Sequence, residues 1–318
     1  MRIFTWHVHG AYLRSLLAVE HEWVVPVRRG RPAGYAGLPA DGPPWPPNVR
    51  EVPADAVRDL DLDVVVLQHR RNWERDQHEI LSDAQRAGPR IHVEHDPPFA
   101  GPPTDSRHPV DDPGVLLVHV TPYNALMWDS GDVPTRVIQH GVPDRGALWT
   151  GELERGISVV NHLAQRGRRL GADVFARARD GAGLPLDLVG MGAEAAGGLG
   201  EVAPGELAAF SARYRFLFNP IRYTSLGLAV CEAMMLGLPV VALATTEHAV
   251  AVEDGVSGFA DTDEAVLHER MRELLADPRL AARLSERARA RARARYALDR
   301  FVAEWTDALE AVAAGRPV

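Results

Sequence analysis

The chain has 318 residues, of which 46% are hydrophobic and 25% are charged, a composition typical of a globular protein with room for two domains. Its formal net charge of −8 argues against nucleic acid as the main partner, because a phosphate backbone favours a basic protein face. The single cysteine, Cys231, cannot form an intramolecular disulfide, which favours a reducing compartment. The first residues are strand-like rather than a leader sequence, and no apolar run is long enough to cross a bilayer. We therefore expect a cytoplasmic protein.

The amino-terminal half alternates short apolar runs with loops and helical segments, which is the pattern of an α/β domain with a parallel sheet. Strands are predicted over 2–8, 23–27, 63–69, 90–95, 115–120 and 135–139, and helices over 11–19 and 72–87. Two Pro-rich loops, 28–48 and 96–114, are long for a compact domain and therefore indicate functional or mobile segments.

Histidines stand at or near the ends of successive predicted strands. They are His7, His9, His69, His95 and His119. Because the carboxyl ends of parallel strands lie on one edge of a sheet, these side chains should gather along one rim. The His7-x-His9 spacing could suggest a metal, but no cysteine or carboxylate with ligand-like spacing joins it, so we predict no metal site. His92 and His108 are predicted to be ordinary, partly exposed residues.

The most informative stretch is 218–243, which reads FNPIRYTSLGLAVCEAMMLGLPVVAL. An apolar run breaks at Asn219-Pro220, and a polar turn leads into a helix over 226–238 that stops before the next apolar strand. Strand, turn, helix and strand form a βαβ unit, whose turn lies where doubly wound sheets bind ligands. Unpaired amides and the helix dipole favour a phosphate there, and Gly227 lets the backbone approach closely.

Glu232 is the only charged residue of that helix. A helix that is apolar on every face is expected to be buried, and a buried carboxylate is costly unless donors satisfy it. A sugar diol such as a ribose would supply two hydroxyl donors. The alternative is a carboxylate that reaches solvent at the domain edge.

Two further segments complete the carboxyl-terminal half. A basic segment that contains Arg166, Arg168 and Arg169 follows a predicted strand over 156–160. Arginine binds phosphate through its planar fork of donors, although isolated basic runs usually lie in water. The last segment, 280–313, is helical in pattern, and its Arg/Ala alternation indicates a solvated helix rather than one that binds an anionic membrane surface.

The stretch 218–243 resembles the donor site of retaining glycosyltransferases of the GT-B fold, which has two Rossmann-like domains facing across a cleft, and especially family 4 of that group (glycosyl transferases group 1). The family pattern is Glu-Gly-Phe-Gly-Leu, three variable residues, then Glu-Ala-Met, a small residue and Gly-x-Pro-Val-Val. Here it reads TSLGL over 224–228, AVC over 229–231 and EAMMLGLPVV over 232–241. The match is long and specific, and it departs from the pattern where Thr224 replaces the first Glu.

The resemblance implies that this stretch binds a nucleotide sugar. Its implied donor-binding residues are Thr224, Ser225, Leu226, Gly227, Leu228 and Glu232. Glu232 would bind the ribose, and the amides from Ser225 to Leu228 would hold the diphosphate. In the family the first Glu touches the donor sugar, so Thr224 leaves room for a different sugar or a weaker enzyme.

The basic segment resembles a family loop in which an Arg and a Lys hold the diphosphate. His162 takes the Arg position here, so the charge must come from a later arginine. We assign it to Arg168 first and Arg169 next, and spacing also leaves Arg166 as a candidate.

Three weaker matches extend the resemblance. Gly190-Met191-Gly192 follows a predicted strand over 186–189 and matches the family's Val-Gly-x-Gly turn. In the amino-terminal half, His95 resembles the histidine that contacts the donor sugar, and the alternative is a buried histidine bonded to the backbone. Gly10 matches the glycine of the loop that approaches the donor phosphate and the acceptor.

Residues 136–142 resemble the segment that leads out of the family's first domain. We therefore predict an amino-terminal Rossmann-like acceptor-side domain over 1–143 and a carboxyl-terminal Rossmann-like nucleotide-sugar-binding domain over 144–318. In this fold the last helix often packs back on the first domain, and an apolar stripe of Phe301, Trp305 and Leu309 suits that contact.

The implied function is transfer of a hexosyl group from a UDP- or GDP-linked sugar to an acceptor, with retention at the anomeric carbon and without metal or other cofactor. His95 and Arg168 are the predicted catalytic residues. The acceptor would be a glycan, a lipid-linked sugar or a small natural product, recognised by the loops that hold Tyr35, Trp45 and Phe99. Two alternatives are a nucleotide-sugar epimerase of the same fold and a catalytically silent nucleotide-sugar-binding partner subunit.

Overall fold

The computed structural model describes residues 1–38 and 44–317, so that five residues of the predicted loop 28–48 lie outside the described part. The chain divides into two compact units. The amino-terminal unit comprises Met1–Gly141 and Leu298–Val318, and the carboxyl-terminal unit comprises Val142–Ala297.

Within the described residues, the amino-terminal unit is built on a seven-stranded parallel sheet. Its strands are β1 (Arg2–Thr5), β2 (Glu22–Val27), β3 (Val49–Pro53), β4 (Val64–Leu67), β5 (Arg90–Glu94), β7 (Val115–His119) and β9 (Thr135–Val137). A separate short pair is formed by β6 (Ser106–Arg107) and β8 (Trp128–Asp129). The sheet order is β3-β2-β1-β4-β5-β7-β9. Strand order reverses between β1 and β4, so the loops after these two strands flank the crevice where such sheets bind ligands.

The carboxyl-terminal unit has a five-stranded parallel sheet. Its strands are β10 (Leu153–Val159), β11 (Leu186–Val189), β12 (Tyr214–Asn219), β13 (Val240–Leu243) and β14 (Gly258–Asp261). The order is β11-β10-β12-β13-β14, with the reversal between β10 and β12. The loops after β10 and β12 therefore meet at the switch point of this sheet, and the predicted α/β class with parallel sheets is confirmed.

Helices cover the sheets of both units. In chain order they are α1 (Gly10–Leu16), α2 (Gln77–Ile80), α3 (Asp83–Ala87), α4 (Pro122–Met127), α5 (Leu163–Leu170), α6 (Ala172–Ala176), α7 (Leu207–Ser211), α8 (Leu228–Leu236), α9 (His248–Ala251), α10 (Glu264–Ala276), α11 (Pro278–Tyr296) and α12 (Leu298–Ala313). Among the described residues, no helix combines the length and apolarity needed to cross a bilayer.

Two predicted helices are broken in the structure. The helix predicted over 72–87 is interrupted because Ser82 forms a capping box with Gln85 and starts a new helix there. The helix predicted over 280–313 breaks at Ala297, whose ψ of 135° is not helical, so α11 belongs to one unit and α12 to the other. The apolar stripe of α12, which includes Phe301 and Trp305, is fully buried, and α12 packs against α1, β4 and β5.

Candidate functional site

The loop after β12, residues 220–227, is called the donor loop below. Its first turn is set by the Asn219 side chain, whose Oδ1 accepts the Ile221 N–H at 3.0 Å. The N–H groups of Arg222 and Tyr223 then donate to the carbonyl of Arg169 at 3.1 and 3.2 Å. The structure therefore brings the predicted basic segment and the donor loop together at the sheet's switch point.

Gly171 fixes how closely these two segments approach. Its φ is +81°, and a Cβ at this position would lie 1.9 Å from the carbonyl oxygen of Pro220. Only glycine tolerates both the left-handed backbone and that contact. The sequence signal was a glycine at the end of a basic helix, which does not by itself reveal the loop it touches.

The donor loop leads into α8 with its helix N-terminus open. Gly227 is the N-cap, with φ −66° and ψ 134°. Its backbone is extended rather than left-handed, so backbone conformation is not the reason for a glycine here. No side chain caps α8, and among the described residues the amides of Leu228 and Ala229 have no partner. A Cβ at Gly227 would meet nothing within 4 Å. This end of α8 therefore offers unpaired N–H groups beside open space, as anion sites do.

Glu232 lies on α8 one turn further along. Its side chain is partly buried, and within residues 1–38 and 44–317 its carboxylate has no hydrogen-bond or ion-pair partner. Burial raises the pKa of Glu232, and the positive charge of Arg145 acts in the opposite direction. The carboxylate is therefore desolvated rather than free in water, and two hydroxyl donors would satisfy it.

The basic segment forms α5, which contains a break at Gly167 with φ 58° and ψ −137°. Arg166 and Arg168 are exposed, and an Nη of Arg168 donates to Asp173 at 2.9 Å. The residue before α5, His162, is held at φ +55°, a left-handed conformation that is unusual for a non-glycine residue and costs energy. Its N–H donates to Met191 at 2.7 Å, which ties this turn to the loop after β11.

Arg222 is a donor-loop residue that the sequence analysis missed. It forms a bidentate pair with Asp173 of α6, and its guanidinium also donates to the carbonyl of Arg168 at 2.9 Å. The bond from Arg222, followed by that from Arg177, holds the pKa of Asp173 well below its usual range. The arginine was visible in the sequence, but its partner 49 residues earlier had no local signal.

Gly190 has a packing reason to be glycine. Its φ is +135°, and a Cβ would lie 2.7 Å from the carbonyl oxygen of Val160 and 2.8 Å from Oδ1 of Asn161. Its N–H donates to Gly200 at 2.9 Å. Gly190 thus lets the turn after β11 approach the end of β10, and its predicted role in donor binding stays a prediction.

In the amino-terminal unit, His95 packs against the rings of two residues that are close to Gly10 in the chain. Gly10 begins α1, and a Cβ there would lie 3.2 Å from Nε2 of His7. The His95 ring is 4.3 Å from that of His9 and 4.6 Å from that of Tyr12 between centroids. Burial, followed by the nearby His9 and His140, holds the pKa of His95 well below its usual range. Within the described residues its buried Nε2 has no partner, so a neutral ring is poised to hydrogen-bond rather than to carry charge.

The other strand-end histidines separate into exposed and buried sets. His69 is exposed, whereas His119 is fully buried. The prediction that His92 and His108 are partly exposed was wrong, because each is only 1% exposed. β5 is an interior strand of the sheet, and His108 comes from a loop that folds over it.

Glu247 is a second missed residue. It follows β13, is 2% exposed and pairs with Arg295 of α11 at 3.2 Å. Next to it, Thr246 has a left-handed φ of 51°, and its hydroxyl donates to the carbonyl of Ser225 in the donor loop at 3.4 Å. The loop after β13 therefore supports the donor loop from its other side.

Comparison with protein families gives one match that spans this site. Residues 197–291 match the family described as "Glycosyl transferases group 1". The matched segment contains β12, the donor loop, α8 and Glu232, and it confirms the resemblance to glycosyl transferases group 1 for this part of the chain. None of the curated proteins that were compared matches the sequence.

Solved structures extend the likeness over nearly the whole chain. The sucrose-phosphate synthase of Thermosynechococcus elongatus has 15% identity and a TM-score of 0.71, covering 99% of this chain and 100% of that one. HepE of Anabaena in complex with UDP has 14% identity and a TM-score of 0.65, with coverage of 98% and 100%. A glycosyltransferase involved in avilamycin A biosynthesis has 16% identity and a TM-score of 0.65, with coverage of 99% and 98%. The predicted GT-B fold, with two Rossmann-like domains, is thereby confirmed.

Proposed function

We propose that the protein transfers a sugar from a nucleoside-diphosphate sugar to an acceptor with retention at the anomeric carbon. The premise is that residues 197–291 are a domain of the glycosyl transferases group 1 family on a GT-B fold. The transfer needs no metal. UDP- and GDP-linked hexoses are the proposed donors, in a reducing, cytoplasmic compartment. The acceptor class is a glycan, a lipid-linked sugar or a small natural product.

The carboxylate of Glu232 is the observation that carries this proposal. A partly buried acid that has no hydrogen-bond or ion-pair partner among the described residues, on the helix that follows the donor loop, needs hydrogen-bond donors from elsewhere. The cis diol of a ribose presents two hydroxyls at a spacing that one carboxylate can accept. Glu232 is therefore assigned to the ribose of the donor nucleotide.

The position of the diphosphate follows from the position of the ribose. With the ribose on Glu232, the pyrophosphate reaches the open N-terminus of α8, where the amides of Leu228 and Ala229 and the helix dipole favour negative charge. Arg168 adds an exposed cation from α5, since its side chain is 75% exposed and, among the described residues, is paired with Asp173. These groups stabilise the charge that develops on the leaving phosphate, which is usually the largest contribution to such catalysis.

The bond changes proposed for the transfer balance without an added base. The bond between the anomeric carbon and the phosphate oxygen breaks, and the acceptor oxygen bonds to the same face of that carbon. The acceptor's hydroxyl proton passes to the leaving phosphate oxygen. In the amino-terminal unit, neutral His95 is proposed to hydrogen-bond the donor sugar, with Gly10 in the loop that approaches phosphate and acceptor. Thr224 is proposed to select a donor sugar other than the one that the family's Glu favours.

A deoxynucleotide comparison tests the role of Glu232. Wild-type protein should bind UDP or GDP at least about tenfold more tightly than its 2′-deoxy form, because each hydrogen bond to a charged group contributes about 1.5–3 kcal/mol. Glu232→Ala should weaken binding of the ribonucleotide about a hundredfold and abolish the discrimination. Glu269→Ala, an exposed acid on α10, is the matched control and should behave as wild type. Discrimination that survives in Glu232→Ala would remove the ribose assignment.

Turnover decides between an enzyme and a silent binder, the alternative that Thr224 favours. The purified protein should release free sugar slowly from its donor without an acceptor, and chelation of divalent cations should not stop it. Proton NMR of the first-formed sugar should show the anomeric configuration of the donor. A protein that binds the nucleotide tightly but never hydrolyses any sugar nucleotide would instead be a binding subunit.

A further inference from the structure

A cluster of three histidines and one carboxylate lies at the carboxyl edge of β5 and β7 in the amino-terminal unit. His92 and Glu94 are two residues apart on β5 and therefore share one face of the sheet. His119 ends β7 and is the register partner of Glu94. His108 comes from the loop after β6, and its Nε2 lies 3.0 Å from a carboxylate oxygen of Glu94. Strand register and one loop thus bring four polar side chains together.

The three histidines are buried, and two of them are incompletely satisfied by the described residues. His92 and His108 are each 1% exposed and His119 is 0% exposed. Within the described residues, Nδ1 of His92 and both ring nitrogens of His119 are buried without a hydrogen-bond partner. Buried polar atoms in folded proteins nearly always have partners, and leaving one unpaired is costly. The unpaired Nδ1 of His92, beside the pair formed by Glu94 and His108, points to a ligand that interacts with ring nitrogens.

We propose that His92, Glu94 and His108 bind a zinc ion. Each offers one ligand atom, and these atoms lie within 4.8 Å of one another. Tetrahedral zinc with bonds of about 2.1 Å needs ligand atoms roughly 3.4 Å apart, so binding would require these side chains to rotate. Two imidazoles and one carboxylate are a ligand set that zinc uses in proteins, with the fourth position left for water.

Proton positions are compatible with this site after one change. Nδ1 of His108 accepts the Val110 N–H at 3.1 Å, so the ring proton is on Nε2 and faces Glu94. When zinc binds at Nε2, that proton moves to Nδ1, and both the bond from Val110 and the bond to Glu94 are lost. These two hydrogen bonds are weak compared with a zinc ion held by three protein ligands. The other carboxylate oxygen of Glu94 accepts the N–H of Asp96 at 2.8 Å. This bond orients the carboxylate, as supporting hydrogen bonds do in metal sites.

The three proposed ligands have no assigned role in the proposed transfer reaction, although Glu94 is next in sequence to His95, and Glu232 and the donor loop belong to the other unit. A zinc ion here would tie β5 to the loop that carries His108. Its expected effect is on the stability of the amino-terminal unit, since metal binding to the folded state stabilises that state by mass action.

Zinc titration of the full chain, after chelation and dialysis, tests the proposal. Wild-type protein should bind one Zn²⁺ per chain in calorimetry, melt at a higher temperature with Zn²⁺ than with chelator, and give the intense visible absorption of tetrahedral Co²⁺. Glu94→Gln keeps the shape of the side chain but offers one acceptor oxygen instead of two, and it should weaken Zn²⁺ binding by about a hundredfold or more, beyond the 10–100-fold typical of supporting residues. His92→Gln should do the same.

The matched control is His248→Gln in the carboxyl-terminal unit, which replaces another fully buried histidine with an unpaired Nε2. It should bind Zn²⁺ as wild type does. Circular dichroism of each metal-free variant establishes that it is folded, and where Glu94→Gln does not fold, His92→Gln decides the outcome. A wild-type chain that binds no stoichiometric Zn²⁺, or a folded Glu94→Gln that binds it unchanged, would overturn the proposal.

Discussion

The two units assemble their polar clusters in different ways. In the carboxyl-terminal unit, the donor loop, the open end of α8 and Glu232 come from one continuous segment of the chain. In the amino-terminal unit, His92, Glu94, His108 and His119 come from three segments that meet through strand register and a loop. A site of the first kind can be recognised from local sequence, whereas a site of the second kind requires the sheet order. The comparison predicts that the first site depends on backbone positions as well as on side chains such as Glu232, and the second on side chains alone.

The largest expected effect is at Gly171, where the donor loop rests against α5. Gly171→Ala should destabilise the protein by about 3 kcal/mol or more, because the new Cβ is strained at φ +81° and would lie 1.9 Å from the Pro220 carbonyl. Gly183→Ala is the matched control, since Gly183 has a φ of +66° with nothing within 4 Å of its Cβ. The control should cost only about 1 kcal/mol, the strain of the left-handed backbone. Urea denaturation measures both, and equal losses would show that the contact with Pro220 does not hold the donor loop.

The next effect concerns a buried histidine outside the amino-terminal cluster. Burial lowers the pKa of His248 to about 4, below the unfolded value of about 6.5. The unfolded state therefore binds more protons in this range, so stability is lost as pH falls below about 6.5. Lowering the pH from 7.5 to 5 should cost about 2 kcal/mol through His248 alone. His248→Gln should lose that share of the acid sensitivity, whereas His78→Gln, at an exposed position, should keep it. Denaturation of the three proteins at both pH values checks this, and parallel losses in all three would contradict it.

Particular residues show how far the sequence could lead. The fold class and most strands followed from apolar runs, and the donor loop followed from a long local motif that includes Thr224 and Glu232. The strand β3 was missed because Val49–Pro53 contains two charged residues and a proline and lies beside a Pro-rich loop. His92 was misjudged because its burial depends on neighbouring strands rather than on its own segment. The clamp between Arg222 and Asp173 joins segments that only the tertiary structure brings together.

Replacement of Arg168 is expected to change the affinity for the nucleoside diphosphate about tenfold. Arg168→Ala should weaken binding of UDP or GDP about tenfold and leave binding of the bare nucleoside unchanged, because one charge-assisted bond to the diphosphate is lost. Arg166→Ala is the matched change on the same exposed segment and should have little effect. Calorimetry with nucleoside and nucleoside diphosphate separates the two arginines. A loss in Arg166→Ala but not in Arg168→Ala would move the diphosphate contact by two residues.

The smallest effect, and the one that separates binding from folding, is expected for Glu232→Gln. Burial raises the pKa of Glu232 in the folded protein, so the protonated carboxyl group favours the folded state. This stabilisation is complete below the unfolded pKa of about 4.3 and is lost as the pH rises through the folded pKa. Glutamine imitates the protonated form at every pH. Glu232→Gln should therefore raise the melting temperature of the nucleotide-free protein at pH 7.5, and the gain should shrink to nothing as pH approaches 4. The same variant should bind UDP or GDP more weakly, since a neutral amide is a poorer acceptor for the ribose hydroxyls. A variant that is less stable than wild type at pH 7.5 would mean that the carboxylate is already satisfied within the protein, and the nucleotide would then have no need of it.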